Sequence, residues 1–181
     1  VSLLRVLENV ELRQLFVEHL TREISVENLR FWDKAVMWEA NYAVMDPETR
    51  QTAAAELYRL FVHPDAAMPL NLSSANQRSL KDAFAPGAPP APRDVFHGAL
   101  KECFKLMNDG LARFLVSDAY RKYPKVLDFE GDALRNQEAG LALDVSVEDY
   151  LALLMQYNPK QAQNRPSATS AAVSLMDPRR V

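Results

Sequence analysis

Apolar residues return every three or four positions along most of the chain, and that spacing restricts it to packed amphipathic helices. Leu12, Leu15, Phe16 and Leu20 form one stripe; Leu29, Trp32, Ala35, Val36 and Trp38 form a second; Ala54, Leu57, Tyr58 and Phe61 form a third. Such residues share one face of a helix but would scatter over both faces of a strand. Glycine is scarce, with 5 in 181 residues against 11 prolines, which disfavours a sheet dense in tight turns. The predicted fold class is all-α, with seven or eight helices.

Local signals place the helix ends. Ser25 is a plausible N-cap acceptor for the second stripe. Asp46-Pro47-Glu48 opens a helix that His63-Pro64 closes. Ser74-Ala75-Asn76-Gln77 matches a capping box before a short helix carrying Leu80 and Phe84. Residues 85–92 hold four prolines and read as a loop. Arg93 to Asn108 is the longest amphipath, with Phe96, Ala99, Leu100, Cys103 and Met107 on one face. Gly110 is predicted to break it, and Leu111, Phe114, Leu115 and Ala119 to form another helix. Residues 1–127 are expected to form the domain and 128–181 a C-terminal extension. Within the extension, Asp128 to Asp149 is acidic and weakly patterned. A helix over 146–157 is expected to fold back, because its leucines need burial, and the tail beyond it to be flexible.

Composition narrows the function classes. A net charge of −3 gives no reason to expect a nucleic-acid partner. Lys101, Lys105, Arg113, Arg121, Lys122 and Lys125 outnumber Glu102, Asp109 and Asp118. Their ordinary reading is a solvated helix face, and the alternative is peripheral contact with a membrane. Cys103 is the sole cysteine, so no internal disulfide can form, which suits the cytoplasm, including the inner face of the plasma membrane. No apolar run reaches the roughly 18 residues of a spanning helix.

Catalytic chemistry finds little footing. No glycine-rich phosphate loop and no Gly-x-Ser-x-Gly elbow occurs. His19, His63 and His97 lie too far apart for a ligand pair at helical spacing, so no metal is expected. Cys103 falls on a buried face, as a small hydrophobe would. Neither catalytic residues nor a cofactor is expected, and an enzyme is the minor reading.

Three segments then resemble one family in order. Phe16 to Leu20 followed by Glu27-Asn28-Leu29-Arg30-Phe31-Trp32 resembles the entry motif of regulator of G-protein signalling (RGS) domains. Leu70-Asn71-Leu72-Ser73 resembles the family's Val-Asn-Leu segment, and Leu106-Met107 with Asp109 and Arg113 to Tyr120 its closing motif. The resemblance implies a four-helix bundle with a smaller subdomain made from the chain ends. It also implies a partner, the Gα subunit of a heterotrimeric G protein, whose GTP hydrolysis is accelerated with no catalytic group supplied by the domain. The gain would come from tighter binding of the switch segments in their transition-state shape.

By the same resemblance the Gα-binding residues are Ser25, Glu27, Asn28, Asn71, Leu106, Met107, Asp109 and Arg113. Glu27 and Asn28 would face outward from a first helical turn. Asn71, in a turn, would brace a switch segment through its amide. Asp109 would meet a switch threonine, with Arg113 holding its carboxylate and Leu106 and Met107 beside it. Each has a plainer reading: helix-start chemistry for Ser25, Glu27 and Asn28, a turn former for Asn71, and an i,i+4 pair for Asp109 and Arg113. One residue, Asn108, separates Met107 from Asp109 where the family has two, which turns later side chains by about 100° unless Gly110 absorbs it in a bend. The alternative function is an RGS-homology scaffold that binds a signalling partner without activating a GTPase.

Overall fold

A computed structural model describes residues 1–138 and 146–162. Its helices are α1 (Leu3–Glu8), α2 (Val10–Arg22), α3 (Val26–Asn41), α4 (Pro47–Phe61), α5 (Ser74–Ala83), α6 (His97–Leu115), α7 (Asp118–Arg121), α8 (Val126–Glu138), α9 (Val147–Gln156) and α10 (Pro159–Ala162). There is no strand among the described residues. Three helices are not read from the sequence: α1, α8 and the four-residue α10, which falls in the tail expected to be flexible, of which residues 163–181 lie outside the described residues. α1 is only six residues long and its N-cap Ser2 makes no side-chain cap bond. α8 occupies the acidic stretch whose periodicity is faint.

α3 is the central element, packed against α2, α4, α6 and α9. Its buried face meets a run of aromatic rings. Phe31 stands edge-on to Phe61 and Phe96 at 5.4 and 5.7 Å, and Trp38 edge-on to Phe96 at 5.3 Å. These tilted geometries suit the ring quadrupoles. Trp38 satisfies its indole N–H on the Arg50 carbonyl at 3.0 Å. Both tryptophans are core, as their place on the second stripe predicts.

α9 lies against α3 and α6 and buries Tyr150, Leu151 and Leu154 in the common core. Tyr150 stacks on Trp32 at 5.4 Å. Ser146 caps the helix by accepting from the Asp149 N–H. At its other end Arg93 donates to the carbonyls of Leu154 (2.6 Å) and Tyr157 (2.8 Å). A cation there suits the negative end of the helix dipole; the Leu154 carbonyl also accepts from the Tyr157 N–H at 3.1 Å.

Several predicted boundaries shift. α6 runs unbroken from His97 to Leu115, so Gly110 is not a break. Gly110 is buried inside the helix, and an ideal Cβ on it would fall 2.9 Å from Leu20 Cδ2. Glycine is there because α2 approaches closely, and packing overrides its weak helix propensity. The cap of α5 is Ser73 rather than Ser74, with the Ser73 hydroxyl accepting from the Asn76 N–H. α6 begins at His97, because residues 93–96 form turns. By contrast, Asp46 caps α4 by accepting from Thr49, with Pro47 at the first helical position, as the sequence indicates.

Candidate functional site

An uninterrupted α6 has no bend at Gly110 to absorb the missing residue, so Asp109 and Arg113 keep the turn of about 100° from the family's register. At 100° per residue, Glu102, Leu106, Asp109 and Arg113 occupy positions i, i+4, i+7 and i+11 and make one stripe about 16 Å long. The adjacent stripe, Cys103, Met107, Gly110 and Phe114, is buried. Met107 is therefore a core residue and does not stand beside the Asp109 carboxylate, contrary to expectation. Leu106 is half-buried and Asp109 exposed. Burial, reinforced by the Glu102 and Glu27 charges, pushes the Cys103 thiol far up, so it is no nucleophile.

One end of the stripe grips the turn between α2 and α3. Arg113 donates from Nε and Nη2 to the two carboxylate oxygens of Glu23, at 2.7 and 2.8 Å. The predicted pair of Arg113 with Asp109 is replaced by this fork across helices, whose planar geometry favours a bidentate partner. The Arg113 bonds hold the Glu23 carboxyl below its ordinary range, and Glu23 in turn raises the Arg113 pKa. Asp109 is left at the surface of the same stripe.

The turn itself is a Schellman closure of α2. The Ser25 N–H donates to the Leu20 carbonyl at 2.9 Å and the Ile24 N–H to that of Thr21 at 3.2 Å. The residue that must turn left-handed is Ile24, at φ +55°, where glycine is usual. A β-branched residue there is strained, and its side chain is 87% exposed. Sequence reasoning missed Ile24, because nothing in the residue type announces a positive φ.

Ser25 does not act as a side-chain cap; its hydroxyl donates to the Leu20 carbonyl at 3.4 Å. Nor does Asn28 face outward. It is buried, and its amide donates to the Ser25 carbonyl (3.1 Å) and to Glu27 Oε1 (3.2 Å). Its own oxygen is buried with no hydrogen-bond partner among the described residues. Glu27 is half-buried, and its charge is felt at Cys103 on α6.

The other end of the stripe grips the segment of Asn71. Residues 69–73 lie outside any helix or turn, so Asn71 is not in the turn expected of it. Leu70 and Leu72 are buried in the core, and Asn71 between them is exposed. The Leu70 N–H donates to the Phe61 carbonyl at 2.9 Å, and the Ser73 N–H to Glu102 Oε2 at 2.8 Å. Thus α6 touches both segments that carry the predicted site residues. Among the described residues no group of His, Cys, Asp and Glu could hold a metal ion.

Residues 2–123 match the family described as the regulator of G protein signaling domain. The chain belongs to the RGS family. It is similar to Regulator of G-protein signaling 1 of Homo sapiens, 31% identical over 120 residues that cover 66% of this chain and 54% of that protein. It is 30% identical to Regulator of G-protein signaling 10 of Homo sapiens over 135 residues, 72% of this chain and 68% of that protein. It is also 30% identical to Regulator of G-protein signaling loco of Drosophila melanogaster, over 119 residues that make up 7% of that longer protein. The chain thus spans about half of one RGS relative and a small part of another. Beyond residue 123 the RGS match ends, although α9 shares the core that the matched helices build. No helix among the described residues is long and apolar enough to cross a membrane.

Proposed function

We propose that this RGS domain binds a Gα subunit through the rim formed by Ile24, Ser25, Glu27, Asn28, Asn71, Leu106, Asp109 and Arg113, and speeds its GTP hydrolysis. The observation that carries the reading is the single α6 stripe that fixes the Glu23–Ser25 turn at Arg113 and the Asn71 segment at Glu102. A rim braced at both ends loses little freedom on binding, so more of its contact energy goes into favouring one shape of the partner. Two features of the rim cost stability. One is the strained, exposed Ile24; the other is the unpartnered Asn28 oxygen, a group that costs about 1–3 kcal/mol when buried. Such features collect at functional sites.

In this role the exposed Asn71 amide braces a switch segment of Gα, and Asp109 accepts from backbone and hydroxyl groups of another. Arg113 contributes by locking Glu23, and through it the Ile24–Ser25 backbone, rather than by orienting Asp109. Met107 supports the stripe from within. Peripheral membrane contact through the basic residues of 101–125 would be a separate property of the domain.

Single-turnover GTP hydrolysis across a panel of Gα subunits tests the proposal. Acceleration by the domain is expected, as is preferential binding to Gα carrying GDP and aluminium fluoride over Gα carrying GDP alone. Asn71→Ala is expected to cut acceleration at least about tenfold, equivalent to about 1.4 kcal/mol of transition-state stabilisation. Unchanged hydrolysis at saturating domain would leave a binding scaffold in place of an activator.

A further inference from the structure

We infer that Glu102 is the positioning residue for Asn71: a carboxylate on α6 that completes the N-cap of α5 from outside and thereby aims the segment before it. The inference rests on the proposed role of Asn71 for its consequence, but not for its geometry.

In a capping box the residue three places into the helix reaches back to the N–H of the cap residue. Here the cap is Ser73 and that third residue is Asn76. Asn76 does not bond the Ser73 N–H. Glu102 takes that N–H on Oε2 at 2.8 Å and the Asn76 side-chain amide on Oε1, also at 2.8 Å. Gln77 meanwhile donates to the Leu72 carbonyl at 3.1 Å. The peptide joining Leu72 and Ser73 is therefore held at both its oxygen and its nitrogen. On the other side of Asn71, the Leu70 N–H is fixed on Phe61. Asn71 is the exposed residue between two pinned peptides.

The contact is built into α6 as well. An ideal Cβ on Gly98 would fall 2.1 Å from Asn76 Oδ1, so the amide needs the bare backbone of a glycine one turn before Glu102. Partial burial alone would raise the Glu102 pKa. The bonds from Ser73 and Asn76 outweigh it and hold the carboxyl below its ordinary range, so it stays charged at neutral pH. A charge-assisted bond is roughly twice as strong as a neutral one, which suits a clamp exposed to water.

The test combines amide hydrogen exchange with single-turnover hydrolysis on the whole domain carrying Glu102→Ala. The variant has no acceptor for either donor, so both bonds are lost. Exchange of the Ser73 amide is expected to accelerate at least about tenfold while that of Leu100, deep in α6, stays slow and reports an intact fold. Acceleration of Gα is expected to fall about tenfold, and Glu102→Ala is expected to cost nothing more in a chain already carrying Asn71→Ala. Unchanged Ser73 exchange overturns the clamp. So does a full, additive loss on the Asn71→Ala background, which would mean that Glu102 acts on something other than Asn71. If the unmodified domain accelerates no Gα, the proposed function alone fails, and Ser73 exchange still decides the clamp.

Discussion

Leu153 and Leu154 are adjacent leucines on α9, and truncating each to alanine asks whether that helix belongs to the folded core. Leu154 is completely buried, whereas Leu153 is 40% exposed. Removing a buried leucine side chain costs the lost transfer energy plus a cavity term, about 3 kcal/mol for Leu154→Ala. For a domain of this size each kcal/mol moves the melting temperature by about 2–4 °C, so the expected drop is roughly 6–12 °C. Leu153→Ala should cost under about 1 kcal/mol, or at most a few degrees. Helix propensity favours alanine slightly at both positions and cancels in the comparison. The Leu154 carbonyl also survives the substitution, so the Arg93 bond to the helix end is retained and packing alone is measured. Thermal unfolding followed by circular dichroism gives both numbers. Two equal, small shifts would refute the docking of α9 on α3 and α6, and with it the burial of Tyr150 against Trp32.

Ile24→Gly removes left-handed strain worth about 1–2 kcal/mol while giving the unfolded chain more freedom, for a net gain of up to about 1 kcal/mol in chemical denaturation. The same change removes an exposed apolar side chain from the proposed rim, so Gα affinity should fall. A variant that is both less stable and equally tight would show that the residue is neither strained nor in contact. Asp46→Ala should lower the melting temperature at neutral pH, because hydrogen bonds from the Thr49 hydroxyl and N–H hold the Asp46 carboxyl below its ordinary 3.8. A depressed carboxylate stabilises above its unfolded pKa and loses that contribution as the pH falls through the folded value. The gap between parent and variant should therefore close as the pH drops below 3.8, and a gap independent of pH would contradict the cap.

The all-helical class was legible because burial needs only periodicity, and the stripes on α2, α3, α4 and α6 follow it residue by residue. Asp46-Pro47 was legible because a cap is chemistry among neighbours in sequence. Family membership was legible from three short strings in order. What depends on a second helix was not. Gly110 looks like a helix end in sequence; only the approach of Leu20 makes it an interior residue. Arg113 has Asp109 four residues away, yet Glu23, ninety residues distant, offers both oxygens to the guanidinium. Asn28 sits among polar neighbours in sequence but is enclosed once α3 is in place. The cap of α5 is Ser73 rather than Ser74, and its N–H is met by Glu102 from another helix. Sequence alone settled which apolar residues seek the interior and where α4 starts, since those are local preferences. Tertiary structure decided which polar groups meet, because a charge chooses the best geometry in space and not the nearest number in the chain.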